Sequence, residues 1–195
     1  DASILTAVSE VPAVVAGETT TLTTGADTVT GTAGNDNFIG LNTTLTTGDN
    51  INGGDGSDSL TVTTTLTTAA VSVTGFATSD VETAYVGIID GSAADAEILT
   101  VDMLNSSPSS IVVTGSTATT AADGLTLSNV DSSSSVTMSA TSNLDLTVNY
   151  DATYLAGLGD TATVKLTGVS ATAAADSDVT IGAGIETLTV DSSST

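Results

Sequence analysis

At 195 residues the chain is long enough to bury a real core, as one large domain or two small ones. It carries 23 acidic residues against one basic residue, Lys165, for a net charge of −22, so it lacks the clustered Lys and Arg that nucleic acid and anionic lipid require; cations are the partners this field favours. Without cysteine or histidine it has no disulfide framework, no thiol chemistry and no imidazole base, and no apolar run approaches the ~20 residues of a membrane span.

Residues 1–20, DASILTAVSEVPAVVAGETT, hold a short apolar run without a clear period and read as a lead-in strand or linker. The chain begins at Asp1 and shows no signal peptide, which reads as a fragment or processed product of a longer protein. A segment rich in glycine and aspartate follows over 21–62, and a region of repeated strands over 63–195.

Within 21–62 a nine-residue frame is visible: G-G-x-G-x-D-x-U-x, with U a large apolar residue. GGDGSDSLT, 53–61, fits it at every fixed position, and GTAGNDNFI, 31–39, fits with Thr32 in place of the second glycine. Two partial copies precede them, TTGADTVT with Gly25, Asp27 and Val29 in place, and TTGDNIN with Asp49 and Ile51 in place. Asp27 and Asp36 are nine residues apart, as are Asp49 and Asp58, so the segment reads as two pairs of nonapeptides. The 22-residue steps from Asp27 to Asp49 and from Asp36 to Asp58 exceed an 18-residue repeat by four residues, placed around LNTT.

Glycine permits left-handed turns and lets carbonyls converge, the aspartate adds a hard oxygen, and x-U-x is a short strand with U facing a core. Stacked turns then offer the six to eight oxygens that Ca²⁺ takes. The expected calcium site is therefore Asp27, Asp36, Asp49 and Asp58, with the turn glycines Gly25, Gly31, Gly34, Gly53, Gly54 and Gly56. Asp27 faces Asp49, and Asp36 faces Asp58, as like charges, so the stack should resist folding until the metal arrives. Asp55 occupies an x position and is expected to face solvent.

From residue 60 an apolar–polar–apolar triplet recurs: LTV at 60–62, VSV at 71–73, LTV at 99–101, LTL at 125–127 and VTM at 136–138. It returns as LTV at 146–148, VKL at 164–166, VTI at 179–181 and LTV at 188–190. In a strand each triplet turns two aliphatics inward and one polar residue outward. Two longer echoes accompany them: VETAYV (81–86) with IETLTV (185–190), and EILTVD (97–102) with ETLTVD (186–191). SAADAEILTVDML and DATYLAGLGD are the best helix candidates, and both are weak. The fold class is all-β, a β-solenoid or parallel β-roll, whose narrow interior suits small aliphatics. A β-sandwich is the alternative, disfavoured by the absence of tryptophan.

The nonapeptides resemble the RTX (repeat-in-toxin) calcium-binding repeats, which form a parallel β-roll. LTTGADTVTGTAGNDNFIG, a short spacer, LTTGDNINGGDGSDSLTV, and later DVETAYV and GIETLTV together resemble RTX-type bacterial surface-layer proteins and related large secreted surface proteins. That resemblance implies Ca²⁺ as cofactor, export by a type I system, an extracellular location on the bacterial cell surface and a calcium-dependent lattice. Its implied partners are further copies, other parts of the same large protein and cell-surface polysaccharide. A calcium-folded module of a secreted adhesin, or an appendage of a secreted RTX enzyme, is the alternative.

Glu82 and Glu186 stand at equivalent points of the first echo, as isolated ligands, hydrogen-bond acceptors between rungs, or exposed strand-edge carboxylates. Lys165 fills the outward slot of VKL and is expected at the surface. NTT at 42–44 and NSS at 105–107 match the glycosylation sequon, a short pattern that occurs often by chance. With neither a G-x-S-x-G elbow nor an S-x-x-K context, the expectation is a structural protein and not an enzyme.

Overall fold

The computed structural model describes residues 15–67, 70–91, 97–114, 123–139, 144–169 and 177–193. Among these there are sixteen strands and no helix, and every strand pairing is parallel. The principal sheet has eight strands: β1 (Thr19–Thr21), β3 (Asn37–Gly40), β5 (Ser59–Leu66), β8 (Thr83–Asp90), β10 (Ser110–Thr114), β12 (Ser135–Ser139), β14 (Thr161–Thr167) and β16 (Thr187–Ser193). A second sheet holds β6 (Ala70–Val73), β9 (Ile98–Asp102), β11 (Asp123–Val130), β13 (Leu144–Tyr150) and β15 (Val179–Ile181). A third, short sheet holds β2 (Thr28–Thr30), β4 (Asn50–Asn52) and β7 (Ala77–Ser79). Each sheet lists its strands in chain order, so the chain winds once per tier. This is a β-solenoid, consistent with a parallel β-roll. At ~4.8 Å between strands the eight tiers span about 34 Å.

The register follows the sequence pattern. All nine triplets lie in strands, and their outer aliphatics form columns across tiers: Phe38, Leu60, Ala84, Ile111, Val136, Val164 and Val190 in the principal sheet. Val71, Leu99, Leu125, Leu146 and Val179 form one on the second sheet. Most of these residues are buried, because small and branched side chains, with Phe38 the one ring of these columns, fill the narrow space between sheets. The last tier departs from the pattern. β16 has a neighbour on one side only, and its inward Leu188 and Val190 are 44% and 55% exposed.

Tier length varies while register holds. Thr19 pairs with Asn37, eighteen residues on, as two strict nonapeptides require. Asn37 then pairs with Ser59 and Ser59 with Thr83, steps of 22 and 24. The four-residue excess at LNTT is a turn, in which the N–H groups of Thr44 and Leu45 donate to the Leu41 carbonyl at 3.0 and 2.8 Å. β5 runs across the 62/63 boundary, so one sheet joins the glycine-rich segment to the strand repeats.

Four expectations are corrected. The β-sandwich is excluded, because sandwich strands pair antiparallel. EILTVD and ETLTVD are not equivalent: the first forms β9 of the second sheet, the second lies at the start of β16 in the principal sheet. Residues 98–102 of SAADAEILTVDML are strand, while 92–96 lie outside the described residues, as do 1–14 of the lead-in. DATYLAGLGD is a surface turn with no helix, opened by Thr153 N–H and hydroxyl bonds to Asp151 Oδ1, both 2.7 Å.

Leu127→Ala, at a fully buried column position of β11, is expected to cost about 2–5 kcal/mol. Leu188→Ala, on the exposed last tier, should cost about 1 kcal/mol or less. Urea unfolding of the two variants in one buffer checks this ranking.

Candidate functional site

The aspartates of the nonapeptides end their turns. Residues 22–27 link β1 to β2, 31–36 link β2 to β3, and 53–58 link β4 to β5, so Asp27, Asp36 and Asp58 each stand directly before a strand. The predicted residues fall into two groups. Asp36, Asp58, Gly31, Gly34, Gly53, Gly54 and Gly56 stack on the edge leading into the principal sheet. Asp27, Asp49 and Gly25 lie on the edge leading into the third sheet.

At several strand starts the N–H of the residue before the strand needs an acceptor, and the acid of the next tier supplies it. Glu18 N–H donates to Asp36 Oδ1 at 2.6 Å, Asp36 N–H to Asp58 Oδ1 at 2.7 Å, and Asp58 N–H to Glu82 Oε2 at 2.6 Å. On the other edge Asp27 N–H donates to Asp49 Oδ1 at 2.8 Å. The pattern returns far along the chain, where Asp160 N–H donates to Glu186 Oε2 at 2.8 Å. The Asp58 carbonyl also accepts from both Glu82 and Thr83 N–H, and the Asp160 carbonyl from both Glu186 and Thr187 N–H. Glu82 and Glu186 are thus the same device, acceptors between rungs. In the intervening tiers the side-chain link runs in the opposite sense, with the hydroxyls of Ser109 and Ser135 donating to the carbonyls of Glu82 and Ser109.

Each aspartate also draws on its own turn, with one exception. Asp27 accepts from Thr23 N–H and hydroxyl at 2.7 and 3.0 Å, Asp36 from Thr32 N–H and hydroxyl at 2.6 and 3.1 Å, and Asp49 from Thr46 N–H at 2.6 Å. Asp58 Oδ2 is buried without a hydrogen-bond partner. The two carboxylates of the principal edge respond in opposite directions. The Glu18 N–H, with Thr32, holds the Asp36 carboxyl below its ordinary 3.8 against the effect of burial. Burial pushes Asp58 up, aided by the charges of Asp36, Glu82 and Asp80 and opposed by the Asp36 N–H. Asp36, Asp49 and Asp58 are 3%, 1% and 1% exposed, while Asp27 is half-buried.

Among the six predicted glycines only Gly54 and Gly56 adopt left-handed φ, +93° and +135°. Gly31 and Gly53 serve close approach: a Cβ on either would lie within about 2 Å of a carbonyl oxygen in the next tier, Gly53 O at 2.1 Å and Asp80 O at 1.7 Å. Gly25 is open, its Cβ position meeting only Thr23 Oγ1 at 3.8 Å. Among the described residues no three acidic side chains converge on one point, so a cation here would take most of its oxygens from these carbonyls. Asp55 is exposed, as expected. Lys165 is exposed too and meets Asp191 across the sheet at 3.9 Å, a contact of little energetic weight.

Three residues of this edge escaped the sequence reading. Asp160 ends GLGD, a shortened nonapeptide turn in which Gly159 repeats the left-handed φ of Gly56, at +113°. The signal was present, since an acid before an alternating strand and a glutamate one tier later also describe Asp58 with Glu82. Asp80, left-handed at φ +52°, supplies a carbonyl, for which a sequence has no marker. Thr32, which stands in place of the second glycine of the frame, has a role the frame does not show, donating its N–H and hydroxyl to Asp36. Elsewhere, Glu97 and Asp123 are buried on the second sheet, with Glu97 N–H donating to Asp123 Oδ1 at 3.2 Å.

Comparison with known protein families, curated proteins and solved structures returns no match to this chain.

Glu82→Ala leaves the Asp58 N–H without its acceptor and is expected to lower stability by about 1–3 kcal/mol. Glu82→Gln keeps a side-chain oxygen there and should recover most of that loss. Urea midpoints of the two variants and the parent decide it, and equal losses would remove the ladder role.

Proposed function

We propose that this chain is a calcium-dependent structural module of a secreted bacterial surface protein of the surface-layer type. The observation that carries the reading is Asp58. Its Oδ2 is buried and unpartnered in a protein with a single basic side chain, facing carbonyl oxygens that glycines allow to approach. The nonapeptide frame and its resemblance to RTX repeats point to Ca²⁺, and hard oxygens in a flexible arrangement suit that ion. The Asp58 carboxylate and the surrounding turn carbonyls would hold it, with Asp36, Asp49 and Asp27 as the further candidates. A bound Ca²⁺ supplies the positive charge this stack of acids lacks.

The stacked carboxylates of the 22–62 segment repel in the ion-free chain, and once neutralised they let the turns close and the following tiers add on. Binding specific to the folded state contributes RT ln(1 + [Ca²⁺]/Kd), about 2.7 kcal/mol at a hundredfold excess, against a typical domain stability of about 5–15 kcal/mol. The role is structural, the location extracellular, and the partners are further copies or other parts of the same large protein, with cell-surface polysaccharide as a second class. Acidic surfaces of neighbouring copies need cations between them to approach, which supports calcium-dependent assembly.

Calcium titration of the EDTA-treated chain tests this, with far-UV circular dichroism and particle size followed together. The expected outcome is a gain of β-signal followed by growth beyond the monomer. A gain of β-signal without growth moves the role to a calcium-folded module of an adhesin or secreted enzyme. No response in either signal overturns the calcium reading.

A further inference from the structure

Two neighbouring tiers carry the same cradle in two chemical states. A Cβ placed on Gly31 would lie 2.5 Å from Asp36 Oδ2 and 2.1 Å from the Gly53 carbonyl oxygen of the next tier. A Cβ placed on Gly53 would lie 2.5 Å from Asp58 Oδ2 and 1.7 Å from the Asp80 carbonyl oxygen of the tier after that. In both, a glycine faces its own tier's carboxylate and a carbonyl from the next.

The two carboxylates differ in what reaches them. Asp36 Oδ2 accepts the Thr32 N–H at 2.6 Å and the Thr32 hydroxyl at 3.1 Å. Asp58, 1% exposed, has nothing on Oδ2. The second position of the nonapeptide makes the difference, Thr32 in one turn and Gly54 in the other. Gly54 has no hydroxyl and takes φ +93°, so its turn leaves the carboxylate oxygen open. The partial copy around Asp27 follows the threonine pattern, through Thr23.

We infer that the four nonapeptide aspartates hold a single divalent cation, on Asp58, and that threonine takes the place of the ion in the Asp36 and Asp27 turns. The inference rests on the calcium reading above and narrows it to one tier. The opposing oxygens are the Asp80 carbonyl and, beside Gly56, the Gly34 carbonyl, which would lie 2.5 Å from a Cβ on Gly56 where Asp58 Oδ1 lies 3.3 Å away. Asp80 belongs to the short turn between β7 and β8, outside the glycine repeats. Its side chain is tied to the preceding tier by Asn52, whose Nδ2 donates to Asp80 Oδ2 at 3.1 Å. The site is therefore completed by the first non-repeat tier, which links ion binding to the start of the long solenoid. Asp160 provides the internal contrast. Its Oδ2 also lacks a partner, yet the first position of its shortened turn is Ala156, so no glycine stands where Gly53 builds the cradle.

Equilibrium dialysis of the full chain against Ca²⁺ after EDTA treatment counts the bound ions, with circular dichroism reporting the fold of each variant. The expected result is a single ion in the parent, in Asp36→Asn and in Asp160→Asn, none in Asp58→Asn, and a second ion in Thr32→Gly. Thr32→Gly removes the substitute ligand while keeping the cradle, so the test survives even if Asp58→Asn fails to fold. A parent that binds two ions and loses one in Asp36→Asn overturns the inference and leaves the calcium reading standing. So does a Thr32→Gly variant that stays at one ion. A parent that binds none overturns both.

Discussion

The structure depends on one repeated hydrogen bond, from the N–H at a strand start to the carboxylate of the equivalent residue one tier on. A parallel strand leaves that donor without a ladder partner, and an unpaired donor at a buried edge is costly. An acid answers it with a charge-assisted bond of 2.6–2.7 Å, as at Asp36, Asp58 and Glu82. The solution creates its own problem, because tiers are ~4.8 Å apart and each acid is stacked over another. The opposite behaviour of Asp36 and Asp58 follows. Where turn donors surround the carboxylate it stays ionised easily; where they do not, burial and neighbouring charge disfavour ionisation.

Around this edge the rest of the solenoid is permissive. On the principal sheet the steps between tiers run from eighteen to twenty-eight residues, yet the aliphatic columns stay in register from β3 to β16. Side-chain period in a strand is two, so a one-residue slip would turn Leu60 or Val136 to solvent, while an added loop residue costs little. Turn length is absorbed by the choice of acid. The six-residue turn 53–58 ends in aspartate, while the three-residue turn 80–82 ends in glutamate, and its longer side chain still reaches the Asp58 N–H.

This division explains what was legible in the sequence. The nine triplets, the stacking of Asp36 under Asp58 and the inserted turn at LNTT all follow from local periodicity, and each is in place. The split of the aliphatic repeat between two sheets was not legible, because EILTVD and ETLTVD have the same local pattern and differ only in where the preceding loop delivers them. Asp160 was hidden by a missing residue in GLGD, which breaks a nine-residue frame but leaves the acid before its strand. The oxygens of the Asp58 cradle were the least accessible to inspection. They are main-chain carbonyls, and side-chain identity says nothing about where a carbonyl points.

The exchange of threonine for glycine at the second nonapeptide position then has a physical meaning. A buried carboxylate must be matched by donors or by a cation. Thr32 and Thr23 match it from within, through an N–H and a hydroxyl on the same residue, whatever the solution holds. Gly54 leaves Asp58 Oδ2 without such a donor, and on the proposal above a cation supplies the match. Within 22–62 the perfect repeat is the open one and the imperfect copies are self-satisfied, which puts the open carboxylate at the turn where the glycine-rich segment meets the long solenoid. Degeneracy in the repeat is then not decay alone. On the proposal above it sets how many of the stacked acids take a cation as partner, with Asp58 placed where the glycine-rich segment meets the tiers beyond.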